Sequence, residues 1–301
     1  EIYDEPFADS SQIPTYLVSH LASRDVKVSL SGDGGDEIFS GYNRYRFTSN
    51  IWPKISLFPK SLRNILANSI VNIKQKDLDR ISNFLPFLNR KFNNVSLKVI
   101  KSAKALGSED IDKYYESLVS TIDNPNLLMK EKDLLISKRK ELISEPIELS
   151  LTERIMIQDT MTYLPDDILV KLDRAAMSVS LETRVPFLDP RIVEFAWSLP
   201  IDYKIKGSKT KRILREVLSN YLPDRLIDRP KMGFSIPIDD WLRGPLRDWA
   251  EALLDKQTIT RRGLLDPEYI ESIWKQHLNR NINQGSLLWN VLMFQLWIES
   301  N

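Results

Sequence analysis

Seven consecutive residues, Ser31-Gly32-Asp33-Gly34-Gly35-Asp36-Glu37, combine backbone freedom with ionisable groups more densely than any other stretch of this sequence. Glycines take φ > 0 or bring the backbone close to a ligand at no steric cost. The acids Asp33, Asp36 and Glu37 stand among them and would repel a bare polyphosphate, so a divalent metal or a cationic substrate group has to sit between. Taken singly, each acid also suits a first helical turn, where it complements the macrodipole. Three acids among three glycines directly after a strand favour a functional site. The turn has neither the Lys-Ser/Thr of a phosphate-binding P-loop nor the glycine spacing of the dinucleotide fingerprint.

The flanking residues supply the elements that would hold this turn. Val26, Val28 and Leu30 alternate with Lys27 and Ser29, the period of a strand, and Ile38, Phe39, Tyr42 and Tyr45 fall near helical spacing. A strand, a glycine turn and a helix in that order place the turn at the carboxyl edge of a parallel sheet, the usual position of a nucleotide site. An extended acidic segment from Tyr3 to Ser11 leads into a helix near Ile13 to Ala22.

After Pro146 a buried helix carrying Ile155, Ile157, Met161, Tyr163 and Leu164 is expected to end at Pro165. Asp166-Asp167 then caps a second helix, Ile168 to about Ser180. In it Lys171, Asp173 and Arg174 interleave with apolar and small residues, which suggests partly enclosed charges. Glu182 and Arg184 lie two apart in non-helical chain and project to one side, either as an ion pair that pins the loop or as ligand contacts. Asp189-Pro190 opens a helix from Arg191 to Ser198. An amphipathic helix from Ser208 to Tyr221 precedes the stiff loop Arg229 to Pro237. Its Lys231 either offers an ammonium at a fixed point for a polyphosphate or is solvated.

Composition narrows the classes. The 301 residues are 42% hydrophobic, as in ordinary globular proteins, and 42 Lys plus Arg balance 41 Asp plus Glu, which removes the general electrostatic case for a nucleic-acid partner. The basic runs Lys138–Lys140 and Lys209–Arg212 read as solvated helix faces. Without cysteine there is no disulfide, zinc thiolate cluster or cysteine nucleophile. His20 and His277 read as structural, which disfavours a Ser-His-Asp triad. The apolar stretch Leu287–Ile298 falls short of the roughly 20 residues of a membrane span, so no membrane partner is expected. From Asn50 to about Glu145, prolines at 53, 59 and 86 separate short helices such as Leu97–Leu106 and Ile111–Val119. The C-terminus is helical throughout.

Four stretches together resemble the asparagine synthase family, the synthetase half of glutamine-hydrolysing asparagine synthetases. They are Asp4-Glu5-Pro6 with Asp9-Ser10, Leu30 to Phe39 with Gly41-Tyr42, Tyr163 to Asp189, and Lys231 with Gly233-Phe234. The resemblance implies a mainly α-helical chain with a truncated α/β remnant of an ATP-pyrophosphatase-type (adenine nucleotide alpha hydrolase-like) parallel sheet. It divides as a remnant over 1–50, a helical insertion over 51–145 and a helical part over 146–301 that completes the cleft, all within one synthetase domain.

The implied reaction uses ATP and Mg²⁺: an aspartate side-chain carboxylate attacks the α-phosphate, and ammonia displaces AMP from the resulting β-aspartyl-AMP. By motif position Leu30, Ser31, Gly32 and Gly34 would touch the nucleotide, Asp33, Lys231 and Arg174 would be catalytic, Glu182 and Arg184 substrate-binding, and Asp36 the metal ligand. The family's Ser-Gly-Gly-x-Asp-Ser loop and its glutaminase domain are absent from these residues. The expectation is therefore a C-terminal fragment, inactive alone, whose partners are small-molecule substrates and that glutaminase domain, in the cytoplasm. An exposed sheet edge beside Val26–Leu30 leaves a homodimer open. Two alternatives stand: an amidotransferase acting on another carboxylate, and an inactive nucleotide-binding module.

Overall fold

The computed structural model describes residues 2–73, 95–122, 124–130, 149–207, 209–227 and 236–301, and every structural statement below is made of these. Expectations for Pro86, the basic run 138–140 and the Lys231, Gly233 and Phe234 loop fall outside the described residues.

The chain is mainly helical, with a single two-stranded parallel sheet among the described residues. Helix α1 (Gln12–Ala22) leads into β1 (Val28–Leu30), the glycine turn and the short α2 (Gly35–Ile38). Then come α3 (Asn43–Ile55), α4 (Lys60–Val71), α5 (Val95–Leu106) and α6 (Ile111–Val119). Helix α6 starts where the Asp110 carboxylate accepts from the Lys113 amide at 2.8 Å. Helix α7 (Leu151–Met161) opens on a reciprocal box, Ser150 Oγ accepting from the Glu153 amide and Glu153 from the Ser150 amide.

The helix expected to end at Pro165 ends earlier, at Met161, where Thr162 leaves the helical region at φ -127° and ψ -71°. A π-helical turn, Leu164–Leu169, runs straight into α8 (Val170–Met177), and neither Asp166 nor Asp167 caps it. Proline at the second position of this π-helical segment lies in its first turn, where the amide it removes has no partner, and π turns inside helices collect at functional sites. Strand β2 (Glu182–Arg184) pairs in parallel with β1, Val28 opposite Glu182 and Leu30 opposite Arg184. The partner of the first strand thus comes from the far side of the middle region.

Helix α9 (Pro190–Ser198) starts on Asp189, whose carboxylate accepts from the Arg191 amide at 2.9 Å. Helix α10 spans only Arg212–Leu218, shorter than the amphipathic pattern predicts, because Lys211 before it adopts a left-handed conformation at φ 51°. Helices α11 (Ile238–Arg243), α12 (Arg247–Leu253), α13 (Lys256–Arg262), α14 (Pro267–Leu278) and α15 (Gly285–Ser300) complete the chain. The apolar α15 is enclosed by them, with Leu287, Leu288, Trp289 and Leu292 packed on Ile238, Leu242, Leu253 and Ile273. His277 is fully buried there, as a structural histidine would be.

Candidate active site

Two helices precede the two strands, α1 before β1 and α8 before β2, each through a short turn, and α1 packs on α8. Each helix runs back along the sheet, so its N-terminus lies at the carboxyl end of the strand that follows. The glycine turn after β1, the N-terminus of α1 and the N-terminus of α8 therefore share one edge. The Lys171 ammonium confirms the alignment by meeting the Asp9 carboxylate at 2.6 Å from one helix start to the other.

Within the turn, the Ser31 amide donates to the Arg184 carbonyl at 2.8 Å and ties the turn to β2, while the Ser31 hydroxyl bonds the Asp33 carboxylate. Gly34 takes φ 77°, and a Cβ there would stand 2.6 Å from Leu188 Cδ2. Gly32 has open space around it, with nothing within 4 Å of the place of a Cβ. Leu30 is exposed at the carboxyl end of β1.

Asp36 is held by a residue that the sequence suggests is a solvated basic face. Lys211 Nζ lies 3.1 Å from Asp36 Oδ1, and only about a quarter of either side chain is exposed. Gly41 makes room for the pair, since a Cβ there would lie 1.9 Å from Asp36 Oδ1 and 2.3 Å from Lys211 Cε. Glu37 is 1% exposed and accepts from the Tyr42 hydroxyl at 2.6 Å. Burial raises its carboxyl above the ordinary range, against the Tyr42 hydrogen bond, and the same burial with Glu37 beside it raises the Tyr42 phenol.

Beyond Tyr42 the Tyr163 ring stands edge-on at 6.1 Å and lines a cavity of ≈ 440 Å³ together with Asp9, Asp166, Asp167, Ser286 and Asn290. Here two carboxyls are pushed apart. Burial alone would raise Asp9, but Lys171 and Ser11 hold it below the ordinary range; burial and the neighbouring Asp9 charge push Asp167 up to about 7.

The remaining residues that the sequence singles out are brought less close. Arg174, in the last turn of α8, pairs with Asp4 at 2.9 Å, both well exposed. Arg184 Nε donates to Glu182 Oε1 at 2.6 Å on one face of β2, also exposed. Sequence reasoning missed Lys211, whose left-handed backbone leaves no periodic signal, and the convergence of Arg44, Tyr45, Tyr115 and Asp159, which only the fold assembles.

Among the described residues no group of three or more His, Asp or Glu forms a metal cage. Mg²⁺ is commonly held by one or two carboxylates with substrate phosphates completing the shell. Asp36 fits that donor set, and Lys211 beside it is a cation suited to phosphate oxygens.

Comparison with known proteins agrees with the motifs. A family model described as Asparagine synthase matches residues 1–299. A Bacillus subtilis protein named asparagine synthetase [glutamine-hydrolyzing] 1 is 28% identical over 99% of this chain and 44% of its own length. A Mycobacterium bovis protein named putative asparagine synthetase [glutamine-hydrolyzing] is 32% identical over 98% of this chain and 42% of its own length. A Penicillium rubens protein named amidase chyE is 23% identical over 83% of this chain and 38% of its own length. The chain thus spans less than half the length of these curated relatives.

Proposed function

The chain belongs to the asparagine synthase family, and from that premise we propose that it is the amide-forming part of an ATP-dependent ligase that converts aspartate to asparagine. The reading is carried by one observation: the acid and glycine turn lies at the carboxyl edge of parallel strands, in a chain matched by the family model from residue 1 to 299. The ATP-pyrophosphatase-type fold, and the division at 1–50, 51–145 and 146–301, are part of this proposal. So are a cytoplasmic setting and a glutaminase domain elsewhere in the polypeptide as the source of ammonia. Among the described residues no helix is long and apolar enough to cross a membrane.

In the reaction an acceptor carboxylate oxygen bonds to the α-phosphorus of ATP as the bond to pyrophosphate breaks. Ammonia then adds to the activated carbonyl and AMP leaves, with a proton lost from nitrogen. The backbone of Leu30, Ser31, Gly32 and Gly34 would face the nucleotide, the open space at Gly32 permitting close approach. Mg²⁺, when bound with the nucleotide, supplies charge neutralisation of the triphosphate, and Asp36 would hold it. Lys211, released from Asp36, would then face phosphate oxygens, and the pyrophosphate contact that the motif gives to Lys231 is kept as part of the proposal. Asp33 would sit near the reacting phosphate, and Arg174, Glu182 and Arg184 would border the acceptor. Fixed cations and dipoles aimed at the departing pyrophosphate are the main source of rate in such a step.

The test is exchange of labelled pyrophosphate into ATP by the full polypeptide that contains this chain. Exchange that depends on aspartate is expected. A second reading, an amidotransferase for another carboxylate, draws on the likeness to the protein named amidase chyE. Exchange with a different acid and none with aspartate would establish it in place of the first.

A further inference from the structure

Outside the edge itself, the most connected buried polar group of the described residues is Asp159 on α7, 2% exposed. Its Oδ2 accepts from the Tyr45 hydroxyl at 2.7 Å, from the Tyr115 hydroxyl at 2.6 Å and from Arg44 Nη2 at 2.6 Å. Arg44 Nε also donates to the Tyr115 oxygen at 2.6 Å. Three helices meet at this one oxygen: α3 through Arg44 and Tyr45, α6 of the middle region through Tyr115, and α7 through Asp159 itself. The guanidinium so anchored lies over the Tyr42 ring at 4.0 Å and over the Tyr163 ring at 4.9 Å. Tyr42 in turn donates to Glu37 in α2, one residue from Asp36. A continuous line of contacts therefore runs from Asp159 to the acid and glycine turn.

We propose that Asp159 is a positioning residue for that turn, acting through Arg44 and Tyr42 on the helix that carries Asp36 and Glu37. The physical case is that buried ion pairs add little net stability over apolar packing of the same volume, while they fix geometry. What this one fixes is the place of the Arg44 guanidinium, and a cation held over both the Tyr42 and the Tyr163 ring defines where the Tyr42 hydroxyl reaches Glu37. The middle region gains a role by the same route, since Tyr115 braces the anchor. The inference rests on reading the turn as the nucleotide site.

The experiment measures MgATP affinity of the full polypeptide by titration calorimetry, alongside Tm for each variant. Asp159→Asn strands the Arg44 charge and endangers folding, so the primary variant is Arg44→Lys, which keeps the charge and one hydrogen bond but loses the guanidinium over the two rings. It is expected to weaken MgATP binding by about fivefold to tenfold. Tyr115→Phe removes both a donor to Asp159 and the acceptor of Arg44 Nε while leaving the Arg44–Asp159 pair, and is expected to weaken MgATP binding by a smaller factor, about twofold to threefold. A merely structural role would move Tm and leave Kd of the folded protein unchanged. Arg44→Lys within twofold of the parent, or Tyr115→Phe leaving Kd unchanged, overturns the proposal. A parent that binds no MgATP overturns it as well, whereas one that binds MgATP without aspartate-dependent exchange removes the acceptor assignment alone.

Discussion

At the scale of single residues, the carboxyls Asp9 and Asp167 show how position divides one chemistry into two. Asp9 keeps its charge against Lys171, so its contribution to stability is present above its unfolded value of 3.8 and is lost as pH falls below it. Asp167 has the opposite sign. Its folded value of about 7 means that the native state binds more protons than the unfolded chain between about pH 4 and 7. Stability contributed by its protonated form is therefore complete below pH 4, is lost as pH rises to 7, and changes no further above that. Asp167→Asn removes the titration while keeping the shape. The variant should melt higher than the parent at pH 7.5, by about 3 °C for each kcal/mol recovered, and the difference should shrink towards zero near pH 4.5. Thermal melts across that range check it, and a difference independent of pH would show that Asp167 is ionised in the fold. The sequence offers Asp9 and Asp167 only as motif members and a helix cap; their coupling exists because α1 and the π-helical turn bring distant stretches together.

At the scale of elements, the strand, turn and helix around Ser31–Glu37 are legible because each rests on neighbouring residues: a period of two, glycines, then helical spacing. The glycines separate into distinct roles. Gly34 combines φ 77° with a Leu188 carbon 2.6 Å from any Cβ, so Gly34→Ala should destabilise the fold by about 1–3 kcal/mol. Gly32 faces open space, so Gly32→Ala should leave Tm nearly unchanged, within about 0.5 kcal/mol, and act on the KM for ATP instead. Chemical denaturation and exchange kinetics on the two variants distinguish these effects; equal loss of stability from both would remove the assignment of open space to the nucleotide. Strand β2 is illegible for the converse reason. Glu182, Thr183 and Arg184 carry no apolar alternation, and they become a strand through pairing with β1. The helix break expected at Pro165 falls earlier, at Thr162, because the π turn takes up the proline inside the following segment.

At the scale of the whole molecule, a parallel sheet normally has both faces covered, and an isolated strand pair is at best marginal. Here β1 and β2 pair only with each other among the described residues, and Leu30 is 74% exposed. On α1, Leu17, Val18 and Leu21 point outward with more than half of each side chain accessible. The strand pattern announces an uncovered edge beside Val26–Leu30; the bare face of α1 is hidden in the sequence, where an ordinary amphipathic helix would have the same residues. A chain that spans 42–44% of the length of its relatives and shows such a face is expected to bury it against something. Prepared alone, the 301-residue chain has only other copies available. It should therefore self-associate at micromolar concentration, and Leu17→Ser with Leu21→Ser should shift it toward monomer without lowering Tm, because those side chains are solvent-exposed in the single chain. Sedimentation velocity over a concentration series reads both. A parent that sediments as a monomer throughout would mean that this face tolerates water as it stands, and association that persists in the double variant would move the contact away from α1 to the sheet edge itself.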